Sequence, residues 1–373
     1  MLKIPLMDPM WEQLVSHFGG QKDASTVPLS TFVEPLDCSL GTHAGLKRRR
    51  NEDRCAVARV DIPGVCSYSV AIVCDGVGGS KRGDDAASIA CAASIWFLSV
   101  QRSYIRPYDL VESLVRSVDE AIRLILSGEG LTTLTLLLSS DNGDFALTSV
   151  GDSRIYSWDL GSDLIQLLDD ETLENELKHL KHGDLTFLKE RGIQGSLSQA
   201  LGEVNRSSGD LNVRVLSASQ VPPGGFLLAS DGIWKQAENA FQKIAKNSNS
   251  SMDLVRRSIV AASWLGGVDN ATAVCISDPR SFSRPEGSGG SNVLRLSIWT
   301  PTGLSTFFQV AQVASDSLAT GGAEGGKFPE KKAGRKYPRK GRLTKDQQVK
   351  LDPDKGQDDG KPGREIFVEP GDK

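Results

Sequence analysis

The spacing of apolar positions changes period along the chain. Between about residues 37 and 279, apolar runs of strand length alternate with segments in which apolar residues recur every three or four positions. The runs CAVARV (55–60), YSVAIVC (68–74), TLTLLLS (133–139), FALTSV (145–150), IYSW (155–158), VRVLSA (213–218), GFLLAS (225–230) and ATAVCI (271–276) predict strands. Ala86, Ile89, Ala90, Ala93, Phe97 and Val100 share one face of a predicted helix, and Leu110, Val111, Leu114, Val118, Ile122 and Ile125 share one face of a second. A weaker helical pattern covers 252–265, and Trp11, Leu14 and Phe18 hint at a short amphipathic helix near the start. Several strands follow one another through short turns, such as SSDNGD between 139 and 144, which marks antiparallel hairpins. The pattern predicts an α+β fold: two antiparallel β-sheets face to face, flanked by α-helices in a four-layer α-β-β-α sandwich.

Around this expected domain (37–279) lie an N-terminal extension (1–36) and a segment of different character after Asp278. Residues 280–320 read as a linker containing SRPEGSGGS (283–291), followed by VLRLSIW (293–299), which alternates like a strand and suits either a sheet edge or a docking peptide. Residues 321–373 read as a disordered charged tail, with nine Lys or Arg between Lys327 and Lys345 against Glu330 alone. That run suits a solvated linker, a tether to an acidic partner, or weak contact with a phosphate backbone.

Composition narrows the classes further. The chain has 373 residues, 39% hydrophobic and 24% charged, with a formal net charge of -4, so it reads as an ordinary soluble protein without general affinity for nucleic acid. No stretch approaches the ~20 apolar residues of a membrane span. The opening MLKIPLMDPMWEQL is broken by Pro5, Asp8 and Pro9 before a signal-peptide core could form, and the cytoplasm is the expected location. Six scattered cysteines form no C-x-x-C pair, which signals neither a zinc site nor a disulfide framework.

The candidate chemistry begins at IVCDGVGGSKRGDDAA (72–87). Its glycines match neither G-x-x-x-x-G-K-[ST] nor G-x-G-x-x-G, so a nucleotide cradle is not indicated. Asp75 ends a predicted strand, and the same placement recurs: Asp53 precedes one, Asp152 and Asp231 end two more, and Asp269 opens the last. Carboxylates gathered at strand ends repel one another unless divalent cations neutralise them, and oxygen-only ligation selects Mg²⁺ or Mn²⁺ over Zn²⁺.

Six motifs in order then resemble the metal-dependent protein phosphatases, the type 2C serine/threonine phosphatases, and their bacterial members in particular. They are R-x-x-N-E-D (Arg48 to Asp53), D-G-x-G-G with a downstream G-[DE]-x-A (Asp75 to Ala86), T-T-L (132–134), G-D-S-R (151–154), S-D-G-[IL]-W (230–234) and D-N-x-T (269–272). The resemblance spans about 38–278. It implies hydrolysis of phosphoserine and phosphothreonine in phosphoproteins by direct attack of a metal-bridging water or hydroxide, with a cognate Ser/Thr kinase as counterpart. Asp75 would bridge two Mn²⁺ or Mg²⁺ ions, and the Gly76 carbonyl would bind one of them. Asp231 and Asp269 would hold the other ion, and Glu52 and Asp53 would serve the Gly76 side. Asp152 with Asp231 would hold a third, weaker ion, and Arg48 would grip the phosphoryl oxygens. The glycines after Asp75 are expected to let the backbone approach a cation.

Some features depart from the family. Val77 stands where some relatives carry a histidine, which leaves a metal-bound water as the proton donor to the leaving alkoxide. Leu131 replaces a glycine, and Asp170, Glu171 and Thr172 replace Asp-His-Ser in the flap segment. Lys81 and Arg82 occupy turn positions where they could add positive potential and favour acidic phosphosites. The competing reading is an inactive phosphatase-like binding or scaffolding module. A cysteine-based phosphatase is not indicated, since no cysteine begins a C-x₅-R motif.

Overall fold

Two antiparallel sheets stack face to face in a computed structural model that describes residues 8–21, 28–179, 186–191, 193, 195–235, 238–283 and 292–310. The strands are β1 (Leu29–Val33), β2 (Cys38–His43), β3 (Arg54–Ile62), β4 (Cys66–Cys74), β5 (Leu134–Ser140), β6 (Phe145–Val150), β7 (Arg154–Trp158), β8 (Ile165–Gln166), β9 (Val215–Ser217), β10 (Gly225–Ala229), β11 (Ala271–Ile276), β12 (Val293–Thr300) and β13 (Gly303–Val310). The helices are α1 (Pro9–Gly19), α2 (Gly83–Ser99), α3 (Pro107–Leu126), α4 (Leu173–His179), α5 (Thr186–Glu190), α6 (Asp231–Trp234), α7 (Glu238–Lys246), α8 (Ser251–Trp264) and α9 (Pro279–Phe282). One sheet runs β1-β2-β11-β10-β7-β8, the other β13-β12-β3-β4-β5-β6-β9.

The strands read as continuous apolar runs because both of their faces are covered. On β10, Phe226 and Leu228 point into the core between the sheets, whereas Leu227 and Ala229 pack outward with Ile233 and Phe241 of α6 and α7. On β4, Ala71 and Val73 point inward while Val70, Ile72 and Cys74 join the layer of α2 and α3. The order helix, sheet, sheet, helix follows from this two-sided burial.

Segments flanking the central strands join the same layers. Met10, Trp11, Leu14 and Phe18 of α1 are buried in the cluster that contains α2, and Asp8 caps α1 while accepting the Trp96 indole N–H at 2.9 Å. Of the two readings open for 293–299, the chain adopts the strand: β12 pairs with β3 from Arg295↔Asp61 to Trp299↔Val57, and β13 follows it as the edge. Strands β1, β2, β8 and β13 were not expected. In β2 the apolar pattern is broken by Gly41, where an added Cβ would lie 2.6 Å from Ile259 Cδ1 and 2.8 Å from the Leu29 carbonyl oxygen, so α8 rests directly on the strand. The expected tail, 321–373, lies outside the described residues.

Candidate metal centre

The five aspartates come to one end of the sandwich because each follows or precedes a core strand. Asp75 leaves β4 and is clamped through its backbone by the T-T-L segment. Its N–H donates to Thr133 Oγ1 (3.0 Å), and its carbonyl accepts from the Thr133 N–H (2.8 Å) and Thr132 Oγ1 (2.9 Å). Leu131 takes part through its backbone, accepting the Val77 N–H at 2.9 Å.

Asp75, Gly76, Asp152, Asp231, Asp269 and Arg48 line one cavity of about 420 Å³. The Asp75 carboxylate makes no hydrogen bond or ion pair among the described residues. Burial first, and then the charges of Asp53, Asp231, Asp152 and Asp269, push its pKa well above the usual carboxylate range. Asp152 is pushed up to about 7 by burial and by Asp231.

Asp53 and Glu52 do not line this cavity. Asp53 is buried behind it and accepts the Ser230 hydroxyl at 2.8 Å, while its other oxygen has no hydrogen-bond partner among the described residues. Burial, with Asp269 and Asp231 adding to it, raises Asp53 to about 7. Glu52 lies to the side with a half-buried carboxyl, raised chiefly by burial and drawn down by Arg48. Its backbone carbonyl sits under Gly76.

Two glycines of D-G-V-G-G, Gly76 and Gly78, lie tight against protein neighbours. An added Cβ on Gly76 would lie 2.5 Å from the Gly83 carbonyl oxygen and 2.8 Å from that of Glu52, and one on Gly78 would lie 2.9 Å from Arg48 Nη1. Beside the expected approach to a cation, Gly76 thus permits close backbone packing and Gly78 leaves room for a guanidinium.

Two cationic side chains face the acids. Arg48 Nη2 donates to Asp269 Oδ2 at 2.7 Å, and Lys235 Nζ to Asp231 Oδ2 at 2.9 Å. As they stand, no three Asp, Glu, His or Cys side chains among the described residues form a group that closes on an ion. The carboxylates share a cavity, with Asp231 and Asp269 each turned to a cation of the protein.

The connections between motifs were not legible in the sequence. Asn270 stitches the loop that carries Arg48 and Glu52 to the loop that carries Asp269: its amide donates to the carbonyls of Ala44 (2.7 Å) and Arg50 (2.9 Å), and its Oδ1 accepts the Glu52 N–H (2.8 Å). Arg154 of G-D-S-R forks onto Asp170 at 2.8 and 2.7 Å and stacks 3.2 Å from the centre of the Trp234 ring, joining that motif to S-D-G-I-W. Glu171 accepts the Gly151 N–H at 3.0 Å, so the departing flap residues Asp170 and Glu171 brace the turn that holds Asp152. Lys81 pairs with Glu129 and Arg82 with Asp85, which compensates the charge expected to favour acidic substrates.

A two-sheet sandwich with helices outside and carboxylates at one end defines a class that comparison with known proteins makes definite. The protein phosphatase 2C family profile matches residues 41–264. The chain belongs to that family of metal-dependent protein phosphatases. It is 26% identical over 250 residues to a serine/threonine phosphatase stp of Listeria innocua, covering 63% of this chain and 93% of that protein. The stp of Listeria monocytogenes is 25% identical over 249 residues, with the same coverage. Among solved structures, the PPM Ser-Thr phosphatase MsPP of Mycobacterium smegmatis, in complex with cacodylate, is similar with a TM-score of 0.52 and 25% identity, over 65% of this chain and 98% of that one. A bacterial serine phosphatase at 16% identity shares the fold with a TM-score of 0.54, over 67% of this chain and 99% of that one.

Proposed function

We propose that this phosphatase hydrolyses phosphoserine and phosphothreonine in phosphoproteins with the help of Mn²⁺ or Mg²⁺ held by Asp75, the Gly76 carbonyl, Asp231 and Asp269. The observation that carries the reading is the convergence of four aspartates on one cavity with Arg48 at its wall. The donor set fits hard divalent cations. It offers carboxylate and carbonyl oxygens without histidine or cysteine, and among the described residues the Asp75 carboxylate has no other partner and Asp53 Oδ1 has no hydrogen-bond partner. Glu52 and Asp53 support the Gly76 side of this centre. The Asp152–Asp231 pair, which the resemblance gives to a third ion, is considered below.

Bound divalent cations supply Lewis acidity, neutralising phosphoryl charge and making water acidic enough to attack phosphorus near neutral pH. The chain's own residues orient the substrate. Arg48, seated above Gly78 and partly exposed, presents a planar fork to phosphoryl oxygens. Thr132 and Thr133 hold the Asp75 backbone in place, and the buried Ser230 hydroxyl fixes one oxygen of Asp53. Direct hydrolysis without a phosphocysteine fits the cavity, because no cysteine lines it among the described residues and burial raises the thiols of Cys55 and Cys74 well above their usual range.

No helix among the described residues is long and apolar enough to cross a membrane. A cytoplasmic role opposite a Ser/Thr kinase is the setting we assign, with 37–279 carrying the catalytic residues and the basic run of 327–345 as a tether to an acidic partner. Phosphate release from a phosphothreonine peptide tests the reading. Activity should require Mn²⁺ or Mg²⁺, vanish in EDTA, and fall by at least about 10²-fold in Asp231→Asn. Metal-independent release, or full activity in that variant, would overturn it.

A further inference from the structure

The cavity carries a positive charge of its own, fixed by the helix that ends beside it. Lys235 closes α6 one turn after Asp231, and its N–H donates to the Asp231 carbonyl at 2.8 Å. At this i,i+4 spacing the side chain reaches back along the helix face. Nζ then lies 2.9 Å from Asp231 Oδ2 and 3.9 Å from Asp152 Oδ2, between carboxylates from two different loops. Both acids are mostly buried, at 13% and 10% side-chain exposure, whereas the lysine is half exposed. The second oxygen of Asp231 makes no hydrogen bond or ion pair among the described residues, so it stays available to an ion shared with Asp269.

We propose that Lys235 is the resident cation of the Asp152–Asp231 pair, so that a divalent ion reaches this pair only by displacing the ammonium. The inference rests on the reading of the cavity as a metal centre and restricts it: divalent ions gather on the side of Asp75, Gly76 and Asp269. A dication and an ammonium cannot share two carboxylates at these distances without strong repulsion, and in a partly buried site water screens that repulsion only in part.

Counting bound ions tests this without reference to activity. The full chain is stripped with EDTA and dialysed against graded Mn²⁺ at fixed ionic strength, and bound Mn²⁺ per chain is measured by atomic absorption. Lys235→Met, which keeps the stem and removes the charge, should bind one more Mn²⁺ than the unsubstituted chain, or bind it at least about tenfold more tightly. Lys235→Arg should match the unsubstituted chain. Asp152→Asn should leave the count unchanged when Lys235 is present and abolish the additional ion when combined with Lys235→Met. Equal counts and affinities for the unsubstituted chain and Lys235→Met, or loss of an ion on Asp152→Asn alone, would overturn the inference and leave the metal centre standing. An unsubstituted chain that binds no Mn²⁺ would overturn both. Loss of an ion in the Asp152→Asn arm would overturn the inference even if Lys235→Met were to fold poorly.

Discussion

Replacing Asn270 by alanine removes no proposed metal ligand and no substrate contact, yet it should damage both stability and turnover. The buried amide makes three hydrogen bonds, to the Ala44 and Arg50 carbonyls and from the Glu52 N–H, and these tie the Arg48 loop to the Asp269 loop. At about 0.5–1.5 kcal/mol for each bond, with a further cost for polar groups left buried and unpaired, the loss comes to about 2–4 kcal/mol. Urea unfolding in EDTA should show this as a lower midpoint at unchanged slope. Since Arg48 and Glu52 are positioned from the same loop, kcat/KM on a phosphothreonine peptide should fall by about 10²-fold. Asn270→Asp separates the bonds: it keeps the acceptor for Glu52, loses both donors, and places another carboxylate near Asp269, so it should destabilise at least as much as alanine. A midpoint and kcat/KM in Asn270→Ala within error of the unsubstituted chain would refute the idea that this residue joins the two loops.

Stability in EDTA should depend on pH through Asp53 and Asp152, whose pKa values rise from 3.8 unfolded to about 7 folded. A carboxyl that binds its proton more tightly in the folded chain favours folding fully below the unfolded value, and that contribution is lost as pH rises through the folded one. The folded state should therefore weaken between about pH 4 and about pH 7, with Asp53→Asn flattening the profile and Mn²⁺ restoring stability at the upper end; an unchanged profile in the variant would contradict the assignment. Gly78→Ala should lower kcat/KM about tenfold by crowding Arg48 while changing stability by less than ~0.5 kcal/mol, as measured by peptide kinetics and urea unfolding. Arg154→Ala, which removes the cationic partner of the mostly buried Asp170 and the stack on Trp234, should cost about 3 kcal/mol in the same unfolding assay.

The central strands and the two long helices were legible because burial imposes its period on the sequence directly. Runs such as FALTSV and ATAVCI are apolar on both faces, and their bounds coincide with β6 and β11. Strands β1 and β2 were hidden because their stabilisation comes from tertiary contacts. Gly41 gives way to α8, and Thr42 spends its hydroxyl on Thr272 at 2.7 Å. Strand β13 lies at a sheet edge with Leu304 and Phe308 exposed, which blurs its alternation. At the site, the aspartates stood out because each sits at a strand end beside small residues. What their neighbours do could not be read locally. Asn270, Arg154 and Lys235 acquire their roles from segments far away in the sequence or from a helix of a single turn, as do Gly76, which packs on Gly83 and Glu52, and Gly78, which makes room for Arg48.

The central claim is that these separated carboxylates hold divalent ions together. Anomalous scattering from crystals soaked in Mn²⁺ tests it most directly. Peaks should appear within bonding distance of Asp75, the Gly76 carbonyl, Asp231 and Asp269, with Arg48 released from Asp269. A cavity without anomalous density at saturating Mn²⁺, with both ion pairs intact, would contradict the account.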